Sequence, residues 1–383
     1  MEPKGRPTLE ILSAHLHRQV EGPILDRSSR FFGRLDRPER LLVKAAHGAE
    51  LAGLLGEAPS PGPLPLQRYL ELYCKAWRLW LEAETAQPGP QVVDLQLEPW
   101  TPPVVGGSGA RQAQVRDLAD QLRAQGRCFA LGALHGSVLD PQTPAYGDLD
   151  DLVLLSTQAL VDPQLLQEAL LCLWRSAFSL YAFDLFQHHS HLAFPQPALE
   201  AWPESWLPVV LLRQCRVFHG SGSLNLRPVP GRASSLARTL SMGRLFQRGL
   251  SLADLSSAHK AKYLTSNVML APAVLFAALG EPLDKATSLD RAARVFPPEA
   301  LEAVLQAGQI RRLWEHQGSG VLPGLLAAAR RQQNPFLYSR LAPLVSPPPA
   351  PAILRILASA RWRRSLGSLG RYLQAEAQHV QSK

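Results

Sequence analysis

The chain predicts an α+β fold: one small mixed sheet with helices on one face, preceded by a helical region and followed by a helical bundle. Three observations carry this. A central region alternates strand-length apolar runs with helical periodicity, helical spacing fills both flanks, and Pro- and Gly-rich punctuation separates the parts. The divisions fall at 1–85 (N-terminal helical region), 86–110 (linker), 111–228 (sheet-bearing domain) and 229–383 (C-terminal helical bundle).

From residue 8 to about 82, apolar residues recur at helical steps, as in Leu51, Leu54 and Leu55, then Tyr69, Leu72 and Tyr73. Turn formers dominate 86–110, although Val92 to Leu97 alternates enough for a short strand. A helix over 111–125 follows, with Val115, Leu118 and Leu122 at steps of three and four and Gly126 as its stop. Strands are predicted over 128–134, 149–155 and 180–187, with a partner strand near 190–194, a helix over 163–177, another from about 198, and a last strand over 215–219. Helical spacing then returns over 236–247, 252–279, 298–317 and 351–378, as an antiparallel bundle requires.

With 383 residues and 46% hydrophobic content, the chain has ample material for packed cores. The net charge of +8 is spread without long blocks of one sign, so basicity alone does not specify a nucleic acid partner. Cys74, Cys128, Cys172 and Cys215 form no C-x-x-C pair and sit in apolar contexts, as in a reduced interior. The N-terminal charges lack an apolar run behind them, and no run of eighteen apolar residues occurs. The expectation is a cytoplasmic protein with no membrane partner.

Chemistry concentrates in Leu134-His135-Gly136-Ser137, ten residues of loop, and Asp148-Leu149-Asp150 at the head of an apolar strand. Side chains alternate along a strand, so Asp148 and Asp150 point to one side, a geometry suited to a divalent metal. Gly136 and Ser137 let backbone N–H groups approach a phosphate. Asp151 points the other way and reads as an ion-pair or surface carboxylate. Asp184 lies in an apolar, aromatic run, where a charge is costly unless paired or metal-bound. Among the nearby histidines, a continuing strand would put His188 on the face of Asp184 and send His189 and His191 to the other, so no face collects three zinc ligands. His188 is the candidate to contact a phosphate or a carboxylate.

The Gly-Ser turn and the Asp-x-Asp after a ten-residue spacer resemble the signature of the nucleotidyltransferase superfamily that includes DNA polymerase β, over roughly residues 110 to 225. The two-part layout is similar to kanamycin-type bacterial nucleotidyltransferases, in which a helical domain helps close the cleft. The resemblance implies a small mixed nucleotidyltransferase sheet and a metal triad of Asp148, Asp150 and Asp184, holding two magnesium ions on the phosphates of ATP or another nucleoside triphosphate. It also implies transfer of a nucleoside monophosphate, AMP foremost, to a hydroxyl or phosphate acceptor on a small molecule, a protein or an RNA. Asp184 would orient or deprotonate the attacking group. Loop 138–147 carries two prolines and no basic residue, unlike many relatives, so Lys260 and Lys262 become the candidates to meet the triphosphate with Gly136, Ser137 and His188. The alternatives are a catalytically inert nucleotide-binding or protein-interaction module of the same fold, and an RNA binder. Arg311 and His316 meet the Arg-x4–6-His spacing of a ribonuclease motif, a spacing that abundant arginine produces by chance.

Overall fold

The computed structural model describes residues 32–34, 42–43, 49, 51–53, 55–58, 62, 64–84, 92–101, 109–139, 147–187, 189–204, 207–229, 231–248, 257–314 and 321–382. His188, His316 and most of the loop between Gly136 and Asp148 lie outside the described residues.

The N-terminal region departs from the all-helical expectation. Phe32–Arg34 (β1), Leu42–Val43 (β2) and Leu64–Pro65 (β3) form a three-stranded antiparallel sheet, and Leu66–Glu84 (α1) is its one long helix among the described residues. Pairing across the chain overrides local helical spacing here. The linker is also structured. Val93–Gln96 (β4) and Glu98–Pro99 (β5) carry Leu95 and Leu97 into the core, as period-two alternation allows.

Gly109–Ala124 (α2) leads to Phe129–His135 (β6), Asp150–Leu155 (β7), Pro163–Phe183 (α3), Leu192–Pro195 (β8), Trp202–Pro203 (β9), Arg216–His219 (β10), Ser223–Leu226 (β11) and Pro228–Val229 (β12). Five strands form the main sheet in the order β5-β10-β6-β7-β8; β5 and β8 run parallel to their neighbours and the other pairs are antiparallel. The sheet is mixed, as expected. Asp151 through Leu155 are all buried, so neither face of β7 meets water.

The predicted strand over 180–187 is instead the end of α3. Asp162 caps that helix by accepting the N–H groups of Gln164 (2.8 Å) and Leu165 (3.3 Å), and Pro163 opens its first turn. A short apolar run cannot be told from a buried helix by periodicity, and Leu180, Tyr181 and Phe183 are buried because the last turns of α3 are covered by both halves of the chain. The α3 stretch from Leu165 to Trp174 belongs to the sheet's core, which also takes in Tyr69, Leu70 and Tyr73 of α1, so the N-terminal helix shares that core. At its end, Ala177, Phe178 and Tyr181 enter a second core, that of the helical half. Asp184 therefore lies where the two cores meet.

The helical half comprises Arg232–Arg248 (α4), Ala258–Ala278 (α5), Lys285–Val295 (α6), Pro298–Arg312 (α7), Val321–Arg331 (α8), Pro335–Val345 (α9), Pro351–Leu357 (α10) and Ala360–Gln381 (α11). α4 and α11 touch backbone to backbone: a Cβ on Gly370 would lie 2.7 Å from the carbonyl oxygen of Gly243. α5 is long and apolar enough to cross a membrane by length and composition, but 67% of its most apolar stretch is buried, and it is the central helix of this core.

Candidate functional site

Gly136 follows the end of β6, and there φ is +74° and a Cβ would sit 2.5 Å from Asp150 Oδ2. A residue with a side chain would be strained there and would push that carboxylate away. Gly136→Ala is expected to cost about 1–2 kcal/mol from the left-handed backbone. Urea unfolding measures that loss, and Asp150 must move with it.

Asp148 precedes β7 and Asp150 begins it, and they face one side as expected: His189 Nε2 donates to Asp150 Oδ1 at 2.8 Å and lies 3.7 Å from Asp148 Oδ2. Sequence reasoning sends His189 to the face away from Asp184; His188, the candidate it prefers, lies outside the described residues. That reasoning extended a strand through 180–187, whereas the chain leaves α3 in a turn, which resets the alternation. Burial opposes charging His189, but its hydrogen bond to Asp150 and the charges of Asp150 and Asp148 outweigh it and push the imidazole up to about 10. Burial pushes His135, across the ladder from Asp150, down instead.

Asp184 ends α3, and its Oδ1 accepts the N–H of Phe186 at 2.9 Å, turning the chain. A carboxylate at a helix C-terminus faces the negative end of the helix dipole. Burial raises its proton affinity, with Lys262 opposing and Asp148 adding to the rise. The compensating charge is Lys262 of α5, wholly buried, whose ammonium donates to both Asp184 Oδ2 and Asp148 Oδ1. The first turn of α5 is fixed by Ser257, which donates to the Pro343 carbonyl at 3.0 Å, and by Ser346, which accepts the His259 N–H at 3.0 Å. Lys260, two residues and roughly 200° around the helix from Lys262, does not share its face.

Arg111 and Lys285, which the sequence did not single out, complete the charge pattern. Arg111 of α2 donates to the Gly147 carbonyl at 2.6 Å and stacks on Phe183, so a guanidinium backs the chain just before Asp148. Lys285 opens α6, where the helix dipole disfavours a cation. Burial and then Arg311 push its ammonium down to about 8, while Asp150 and Asp148 pull the other way. The folded chain therefore binds fewer protons than the unfolded one between pH 8 and the ordinary lysine value of 10.5, and stability rises with pH across that window.

Asp151 is an ion pair but not at the surface: His191 Nδ1 meets its Oδ2 at 2.6 Å, and His191 Nε2 meets Ser176 Oγ at 3.0 Å. All three are buried, and the Ser176 hydroxyl donates to the Cys172 carbonyl at 2.9 Å within α3, so this Ser-His-Asp set ties helix to sheet without reaching a substrate.

Among the described residues no group of three or more His, Cys, Asp or Glu is placed to hold a metal ion. The hard oxygens of Asp148 and Asp150 are of the kind that holds a magnesium ion, and the missing side chain at Gly136 is what lets the Asp150 carboxylate sit where it does. The expectation of two ions gripped by three carboxylates fits less well, because the Lys262 ammonium stands between Asp148 and Asp184. Compared with known proteins, the chain matches no family model, no curated protein and no solved structure.

Proposed function

We propose that the chain is a magnesium-dependent nucleotidyltransferase with the superfamily's sheet arrangement, moving a nucleoside monophosphate, AMP from ATP foremost, to a hydroxyl or phosphate acceptor. One observation carries this reading: Asp148 and Asp184, from the sheet-bearing half, both meet Lys262 of the helical half, while His189 holds Asp150 on the same side as Asp148. Carboxylates opposed by cations across a junction of two cores form a seat for a metal-bound triphosphate.

Asp148 and Asp150 would hold the ion, which supplies Lewis-acid stabilisation of the phosphate charge when bound. Gly136 and Ser137 bring backbone donors to the phosphates. As the triphosphate enters, Lys262 trades its carboxylate partners for phosphate oxygens, and Lys285 joins it. Asp184, relieved of its cation and already high in proton affinity through burial, accepts the proton of the attacking hydroxyl. The acceptor oxygen bonds to the α-phosphorus, the bond from that phosphorus to the bridging oxygen breaks, and pyrophosphate leaves. His189 holds Asp150 in place throughout.

Lys285→Met is expected to weaken nucleotide binding about tenfold at pH 7, the loss of one charged hydrogen-bonding partner. In the wild type, affinity should fall as pH rises past about 8 and Lys285 loses its proton, and the variant should lack that fall. Calorimetric titration at pH 7 and pH 9 checks both statements.

A second reading has its own observation. Lys262 and His189 already neutralise much of the carboxylate set, as in an inert nucleotide-binding or partner-binding module. Incubation with labelled ATP, magnesium and cell extract separates the two. Label appearing on an acceptor supports transfer, and ATP bound without transfer in any extract supports the module.

A further inference from the structure

Gln187 is fully buried, and its amide holds one backbone residue by both ends. Oε1 accepts the N–H of Leu149 at 3.0 Å, and Nε2 donates to the carbonyl of Leu149 at 2.8 Å. A neighbouring antiparallel strand offers the same two-bond exchange. Leu149 receives none from the sheet, because β6 pairs β7 only as far as Asp150 and β8 joins at Leu152. Leu149 is itself fully buried, where unpaired peptide groups are costly. One side chain thus completes the sheet at the residue whose two neighbours are Asp148 and Asp150.

The clamp is anchored to the turn that presents the third carboxylate. Gln187 N–H donates to the Asp184 carbonyl at 2.9 Å, and Tyr338 donates its hydroxyl to the Leu185 carbonyl at 2.6 Å. The edge of Phe186 meets Trp314 at 5.8 Å between centroids. Gln187 Nε2 also lies 3.5 Å from His189 Nδ1, but that nitrogen donates to the Ser190 carbonyl at 3.0 Å, and the imidazolium has no lone pair to offer an amide.

We infer that Gln187 is a positioning residue that sets the spacing and direction of the Asp148 and Asp150 carboxylates toward their cation. The inference rests on the nucleotidyltransferase reading for the identity of that cation. Rotation about the Leu149 backbone would swing the two carboxylates relative to one another, and the paired amide bonds are what resist it.

Gln187→Met keeps the length of the side chain and loses both bonds to Leu149, and Gln187→Asn keeps an amide one methylene too short to bridge. In the full chain, Mn2+ affinity is read by electron paramagnetic resonance with a non-hydrolysable ATP analogue, and Leu149 amide exchange is read by mass spectrometry. The expected result is faster exchange at Leu149 and a loss of Mn2+ affinity of about ten- to a hundredfold, the range typical of residues that orient metal ligands. Should Gln187→Met fail to fold, Gln187→Asn carries the same expectation. Mn2+ affinity unchanged in a folded variant with accelerated Leu149 exchange overturns the inference. A wild type that binds Mn2+ and the analogue but transfers nothing, with weaker binding in the variants, supports positioning and overturns nucleotidyl transfer. A wild type that binds no Mn2+ overturns both.

Discussion

Replacing Lys262 with methionine should destabilise the chain by about 3–5 kcal/mol at neutral pH, the cost of removing one partner from a buried ion pair. Asp184 is only 3% exposed at the end of a helix, and without the ammonium it retains a charge beside Asp148 with burial against it. The pH dependence gives the mechanism away. In the variant the Asp184 carboxyl is held above its unfolded value by burial and by Asp148, so the folded state binds the proton more tightly, and the deficit should shrink as pH falls toward and below the folded pKa. Urea unfolding at pH 7.5 and pH 5 reads this directly. Adding Asp184→Asn to Lys262→Met should recover much of the loss at pH 7.5, because the amide carries no charge to bury. A deficit in Lys262→Met that does not depend on pH would show that packing, not charge, is what Lys262 supplies.

Asp150→Asn should abolish transfer, by at least about a thousandfold in kcat, at a smaller cost in stability than Lys262→Met. Asp150 is 23% exposed, and its partner His189 is 31% exposed and reaches toward Asp148 as well, so the imidazole that loses Asp150 keeps a second carboxylate and some solvent, and part of its proton affinity is lost with the Asp150 charge. Asp148→Asn removes an acceptor from Lys262 and should lower both activity and stability. That difference between neighbours of identical chemistry follows from which one the buried ammonium holds. Single-turnover assays with labelled triphosphate, run beside unfolding curves for both variants, measure it.

Much of this site was legible in the sequence because it is local. The strand leading to Gly136 and the strand bearing Asp150 appear within a residue or two of their expected positions, since apolar runs bounded by polar turns fix a strand when its neighbours cover both faces. Period-two alternation correctly set Asp148 and Asp150 on one side and Asp151 on the other. The apolar company of Asp184 correctly marked it as a charge in need of a partner, although the strand assigned to it is a helix end. What the sequence hid is long-range. Nothing around residue 32 or 42 announces pairing with residues 64 and 65. Lys285 lies 135 residues from Asp150 and comes within range of its charge only through the packing of the helical bundle. The selection of Lys262 over Lys260 is a matter of helix phase, and the anchoring of α5 by Ser257 and Ser346 decides that phase. The contact of His189 with Asp150 depends on the turn that follows α3, which the misread strand end hid.

The most direct measurement is a crystal structure of the chain with Mn2+ and a non-hydrolysable ATP analogue, using the anomalous signal of manganese to place the ion. The expected result is a manganese peak within coordination distance of Asp148 and Asp150, with the triphosphate against Gly136 and Ser137 and the Lys262 ammonium moved from Asp184 to a phosphate oxygen. A nucleotide bound elsewhere, or a Lys262 still clasped between Asp148 and Asp184 with no manganese beside them, would contradict the account.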